Sequence, residues 1–180
     1  MGKQSPRAID WPISLQYLIR MRKPKVEILV GPIASGKSTF ATFRAKEGAI
    51  VINDDAIVNA VHANQYALYD ETLKPLYKAV ENTILQAALS LGRDVVIDRP
   101  NYSKAMRRRY IGLAKSVDAM VNVVHFERVD PNEHARRRAH SDARGYTQEY
   151  WLEVAMAHDI QYEQPELSEG VDEITHRGSV

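Results

Sequence analysis

Residues 31–38, GPIASGKS, constrain this chain more than any other stretch. Gly31, Gly36, Lys37 and Ser38 fit the pattern G-x-x-x-x-G-K-[ST], a loop that binds phosphate. Its flanks give it the context it needs. Val26, Ile28, Leu29 and Val30 form an apolar run suited to a buried parallel strand, and Ser38 to Lys46 contains no Gly or Pro and opens a helix. Backbone N–H groups in such a turn point inward at phosphate oxygens, helped by the positive end of the helix. Glycines at 31 and 36 allow the backbone to come close. Lys37 reaches the β- and γ-phosphates and Ser38 offers its hydroxyl to Mg²⁺. Gly31, Ala34, Ser35, Gly36, Lys37, Ser38 and Thr39 are therefore the candidate residues for a nucleoside triphosphate, expected to be ATP.

Strands and helices alternate along the rest of the chain. Short apolar runs at 49–53, 94–98 and 120–126 read as strands, with a weaker one at 171–175. Between them lie helical segments: 56–68 in part, 71–91 with Pro75 near its start and Gly92 as its stop, one capped by Ser103, one opened by Pro131, and one capped by Thr147. This pattern predicts an α/β three-layer sandwich on a mostly parallel sheet of four or five strands. In such sheets ligands sit beyond the carboxyl ends of the strands, which selects the loops at 31–38, 53–55, 98–101 and 127–130. Asp10, Pro12 and the apolar Ile13, Leu15, Leu18 and Ile19 predict an added helix ahead of the first strand, a possible route to self-association.

The chain has 180 residues, no cysteine, 24 Lys/Arg against 23 Asp/Glu, and a net charge of +1. Disulfides, thiolate metal sites and cysteine nucleophiles are excluded. No apolar run approaches membrane-spanning length and no secretion signal stands at the N-terminus, so a soluble cytoplasmic protein without membrane partners is expected. The near-zero net charge conceals segregation. Residues 99–115 hold six Lys/Arg and no acid, whereas 145–173 hold eight Asp/Glu and no Lys or Arg. A basic zone of that size suits the gripping of a few phosphates, and a solvated helix face is the plainer account.

Asp54 and Asp55 follow the second strand. One can take the proton of an acceptor hydroxyl, which favours Asp54, while Asp55 caps the helix or stands behind it near the substrate. Asp98 ends the third strand, where a carboxylate can stand near Mg²⁺ with Ser38, or else cap a helix or pair with Arg99. Asn101 can orient a hydroxyl or phosphate, and Arg99 and Arg107 can contact substrate phosphates. Of the arginines at 136, 137, 138 and 144, Arg138 and Arg144 are favoured to reach the transferring phosphoryl group from a lid at about 132–147. The histidines show no metal-ligand spacing, and the tyrosines and Trp151 read as core.

The succession GPIASGKST, IVINDD, VVIDRPN with an arginine-bearing helix, and an Arg-rich lid resembles the kinase domain of polynucleotide 5′-kinases from about Val26 to Ala157. The resemblance implies a P-loop NTPase fold and transfer of the ATP γ-phosphate to a 5′-hydroxyl of DNA or RNA. It implies Asp54 as general base, Asn101 as the Asn of a D-x-x-N element and Arg144 as the lid arginine. Residues 1–24 would be an N-terminal extension and 25–176 a single kinase domain, with no room for the phosphatase domain many such enzymes carry. The chain departs from the family on the acceptor side. Ala56, Ile57 and Val58 stand where the phage members place an arginine that meets the acceptor phosphate, and Arg99 replaces an acid often found after Asp98. Three alternatives stay open: a kinase of a hydroxymethylated base within DNA, as in phage base modification; a small-molecule kinase for a nucleoside, sugar or antibiotic; and a nucleotide-dependent switch without acceptor chemistry.

Overall fold

The computed structural model describes residues 22–142 and 145–178. The segment ahead of Arg22, with its expected helix, lies outside the described residues, as does Arg144. Five strands, β1 (Lys25–Val30), β2 (Ile50–Ile52), β3 (Val95–Ile97), β4 (Met120–Phe126) and β5 (Glu173–Arg177), pair in the order β2-β3-β1-β4-β5. Every pairing is parallel, so the sheet is more uniform than the mostly parallel one expected. Val26 sits opposite Val95 on one side and Val121 on the other, which makes β1 the central strand.

The helices are α1 (Lys37–Lys46), α2 (Asp54–Val61), α3 (Lys74–Ser90), α4 (Lys104–Ser116), α5 (Pro131–Ser141) and α6 (Gln148–Ile160). Side chains alternate across β1. Val26, Ile28 and Val30 join Leu85 and Leu89 of α3 and Tyr110, Ile111 and Ala114 of α4 in one core. Leu29 joins Val96, Val124 and Phe126 beneath Phe40 and Ala41 of α1 on the opposite face. This is the three-layer sandwich expected, with α5 and α6 packed on each other beyond it. Pro75 lies in the first turn of α3, where its missing N–H costs nothing, and Gly92 ends that helix with φ 69°.

The two oppositely charged segments find each other. Lys104 pairs with Glu166 at 3.0 Å, Lys115 with Asp172 at 2.7 Å, and Arg107 with Glu169 at 2.7 Å. Much of the basic zone is thus neutralised within the chain and not available to a polyanion. Arg107 is the extreme case, fully buried, with Nε and Nη2 on the Glu169 carboxylate, Nη1 on the Asn101 carbonyl and Nη2 also on the Glu163 carbonyl. The expected substrate role of Arg107 is corrected: its donors are spent joining the loop after β3 to the segment before β5. Removing one partner of such a pair leaves a buried charge uncompensated. Arg107→Met is expected to lower unfolding stability by about 3 kcal/mol in urea titration, and an unchanged midpoint would refute this structural role.

Candidate active site

The loop between β1 and α1 has the backbone its sequence demands. Gly36 takes φ 95° as the residue before the helix, and Ala34 takes φ 50°. Alternating right- and left-handed residues turn successive N–H groups into one concavity. A Cβ on Gly31 would stand 2.8 Å from the Cβ of Phe126 and 3.0 Å from Ser35 Oγ, so no other residue fits there without displacing β4. The Gly31 N–H donates to the Pro100 carbonyl at 3.2 Å, fastening the loop to the one after β3. Lys37 folds back over the loop and donates to the Pro32 carbonyl and to Ser35 Oγ. It is 8% exposed, and burial pulls its ammonium down to about 8, against the opposing pull of Asp98 and with the help of Arg138. Ser38 and Thr39 are exposed at the helix start.

Asp98 lies one strand over, at the end of β3, and is buried. It accepts a hydrogen bond from the Ser38 hydroxyl and one from Asn53 Nδ2 at 3.2 Å. Burial raises its carboxyl above the ordinary carboxylate range, against those bonds and the Lys37 charge. The Ser38 hydroxyl and the Asp98 carboxylate form a hard oxygen pair beside the phosphate loop, a donor set that fits Mg²⁺ shared with substrate phosphates and water. Among the described residues no cluster of three His, Asp or Glu offers a self-sufficient metal cage.

Asn53 was not singled out from sequence, yet it organises the second strand end. Its Oδ1 accepts from the Ala56 N–H at 3.1 Å as the cap of α2, while Nδ2 reaches the Asp98 carbonyl and carboxylate. The capping role expected of Asp55 is therefore corrected to Asn53, which leaves Asp54 and Asp55 as the first turn of α2. Asn101 is likewise corrected. It is 1% exposed, at φ 45°, and its Nδ2 donates to the Leu29 carbonyl at 2.8 Å and the Arg99 carbonyl at 3.1 Å. It bolts the β3 loop to β1 and does not face a substrate.

Asp54 opens onto a cavity of about 670 Å³ between α2, α3 and α4. Its carboxylate meets Arg99 Nη2 at 2.5 Å. Partial burial lifts its pKa to about 6, with the Arg99 charge opposing and Glu81 and Asp55 assisting. Tyr66, Tyr69 and Tyr77 line the cavity, with rings stacked at 6.1 Å and 5.8 Å between successive centroids. Sequence reasoning assigned these tyrosines to the core because their spacing, taken alone, does not distinguish a packed face from an open wall. Asp98 thus stands against the phosphate loop, Asp54 and Asp55 open α2 at the end of β2 with Arg99 on Asp54, and Asn101 and Arg107 serve the scaffold.

On α5, Arg138 lies over the Trp151 ring, 4.8 Å from its centroid, near enough for its charge to depress Lys37. Arg136 and Arg137 instead pair with Glu133 on their own helix. His134 is buried and accepts the Val129 N–H through Nε2 at 3.1 Å, anchoring the start of α5.

Comparison with known proteins fits this geometry. No curated protein matches the chain. Among solved structures, a chain of the Pnkp1/Rnl/Hen1 RNA repair complex is similar at 20% identity and TM-score 0.58, over 78% of this chain and 46% of that one. The Mycobacterium tuberculosis APS kinase CysC, in complex with AMPPNP and APS, is similar at 14% identity and TM-score 0.58, over 86% and 88%. A gluconokinase from Sinorhizobium meliloti 1021 follows at 17% identity and TM-score 0.51, over 88% and 85%. The chain spans less than half the length of the repair-complex chains it matches, and likeness at these identities speaks for fold alone. Among the described residues no helix is long and apolar enough to cross a membrane. A sequence model described as an AAA domain, AAA_33, matches residues 26–164, so the chain belongs to that family and carries the P-loop kinase fold.

Proposed function

We propose that this protein transfers the γ-phosphate of ATP to a hydroxyl of a nucleic acid, most simply the 5′-hydroxyl of DNA or RNA. The observation that carries the reading is Asp54. A carboxylate with its pKa raised to about 6 opens onto a tyrosine-walled cavity at the carboxyl end of β2, two strands from the one that leads into the phosphate loop. The loop amides and Lys37 hold the triphosphate, and Ser38 with Asp98 would hold Mg²⁺. Bound there, Mg²⁺ neutralises charge on the phosphate oxygens. Asp54 accepts the acceptor proton as the hydroxyl oxygen bonds to the γ-phosphorus and the bond to the bridging oxygen of ADP breaks. Arg138 stands near enough for its charge to act on Lys37, where developing charge on the phosphoryl oxygens rewards a cation. Stacked aromatic rings suit an unstacked base better than a polyol, which favours a nucleic acid over a sugar.

The test uses γ-labelled ATP, Mg²⁺ and a panel of 5′-OH DNA, 5′-OH RNA, the same strands already 5′-phosphorylated, hydroxymethyl-base DNA, nucleosides and gluconate. Label confined to 5′-OH strands supports the reading. Label on a 5′-blocked modified strand or on a small molecule alone overturns the acceptor. The base assignment also sets a pH profile. Only ionised Asp54 takes a proton, so kcat/KM for the acceptor should fall about tenfold per unit below pH 6 and level off above it. A profile flat between pH 5 and 7 would remove Asp54 from that role.

A further inference from the structure

The two edges of the sheet are not alike. An edge strand presents unpaired N–H and C=O groups, and proteins blunt such edges by keeping them short or by placing Lys or Pro on them. β2 is blunted by its length of three residues. β5 has five residues, Glu173–Arg177, with neither Lys nor Pro. Among the described residues β4 is its one strand neighbour.

The pairing with β4 fixes which groups the open edge offers. The Met120 N–H donates to the Pro24 carbonyl on the β1 side, so alternate residues of β4, His125 among them, turn toward β5. His125 stands opposite His176, and in a parallel ladder it bonds the residues that flank its opposite number, Thr175 and Arg177. The Arg177 carbonyl accordingly accepts the Glu127 N–H at 2.8 Å. Ile174 and His176 therefore turn their own N–H and C=O outward. The charges stand at the two ends of the strand and are of opposite sign. Glu173 and Arg177 are both exposed and lie on one face, beside α1. Arg177 rests over the Phe40 ring, 4.5 Å from its centroid, and among the described residues neither charge has an ion-pair partner. Four residues apart on a strand, they are roughly 13 Å from each other and cannot pair together.

Such a strand is complementary to a reversed copy of itself. When two copies run antiparallel about Thr175, Glu173 of each faces Arg177 of the other. Ile174 then faces His176, and these are the residues whose backbone points outward, so each such pair exchanges both N–H···O=C bonds. Thr175 meets Thr175 in the closer, non-hydrogen-bonded pairing that suits two threonines. A shift of one residue sets outward groups against inward ones. A shift of two keeps backbone bonds and leaves both charges unmatched. Backbone and charge select the same register.

We propose that β5 is a self-association surface, through which two copies of this chain form a two-fold dimer with one continuous sheet. Main-chain bonds supply the attraction and the Glu173–Arg177 pairs fix the register. The strands of the two copies run in opposite directions, so their phosphate loops open at opposite ends of the shared sheet.

Sedimentation equilibrium of the full chain at micromolar concentrations should show monomer and dimer in exchange. Glu173→Arg sets cations opposite each other and Arg177→Glu sets anions opposite each other, and each should raise the dimer Kd at least about tenfold. Mixing these two variants should restore association as a heterodimer, and the double variant should associate alone. His176→Pro removes an outward N–H, leaves the ladder with β4 intact, and should weaken the dimer at least as much. Melting temperatures measured where the wild type is monomeric should agree, which separates lost pairing from lost folding. A wild-type chain that stays monomeric overturns the proposal, whether its edge is bare or covered by another segment. So does a dimer that the three single variants leave intact, and so does a failure of the mixed variants to associate.

Discussion

Asp54→Asn is expected to abolish most phosphoryl transfer, by about 10³-fold, while nucleotide binding and folding persist. The substitution removes only the proton acceptor: an amide of the same shape still faces Arg99. Stability should not fall. Burial raises the Asp54 carboxyl from 3.8 to about 6, so the folded state holds this proton more tightly than the unfolded state does. The contribution of the group to stability is therefore greatest below about pH 4 and is lost as pH rises to 6. At neutral pH the ionised carboxylate opposes folding, and Asn relieves it. Nucleotide titration, thermal melting and acceptor turnover separate these effects. Retained turnover would discard Asp54 as base, and a collapsed melting temperature would make it a structural residue.

Lys37→Met should cost about 10²–10³-fold in kcat/KM for ATP, the loss typical of removing one preorganised group that meets developing charge. Methionine keeps most of the volume of a side chain that is 8% exposed, so packing is not the cause. The pH dependence of the wild-type protein gives an independent check. Burial holds the Lys37 ammonium down to about 8, whereas bound phosphates favour the charged form. Above pH 8 binding must take up a proton, and triphosphate affinity should drop by about tenfold per unit. Lys37→Met should lose that slope as well as the affinity. Calorimetry at pH 7, 8 and 9 measures both, and a variant that keeps the wild-type slope would show that another group titrates.

The donor half of this site was legible from sequence because its chemistry is written in contiguous residues. A glycine turn between an apolar strand and a helix start has few alternative meanings, and Gly31, Gly36, Lys37 and Ser38 fell where that context requires. The strand-end rule then brought Asp54 and Asp98 to the same edge. What escaped was set by contacts distant along the chain. Arg107 reads as a free cation until Glu169, 62 residues on, takes its guanidinium. Asn101 reads as a turn residue with a spare amide until the Leu29 carbonyl claims it. Glu81 falls within a helical period and carries no local sign that three side chains converge on it. Helix boundaries were nearly right where a cap was visible, at Ser103 and Thr147. They drifted where a 3₁₀ turn intervenes, as at Glu71–Leu73 ahead of α3.

The strand order has a consequence for how such a protein changes its acceptor. β3 lies between β1, which carries the phosphate loop, and β2, which leads into Asp54. The phosphate loop and the proposed base are therefore separated by two inter-strand spacings, roughly 9–10 Å of hydrogen-bonded backbone. No side-chain substitution alters that span, so under the proposed reaction it works as a fixed ruler for the acceptor. The walls of the cavity beside Asp54 come instead from α2, α3 and α4, the loop after β3 and the short turns between α2 and α3, none of which builds the phosphate loop. The cavity lining at 54–81 and 99–110 can thus vary while the phosphate loop at 31–38 stays as it is.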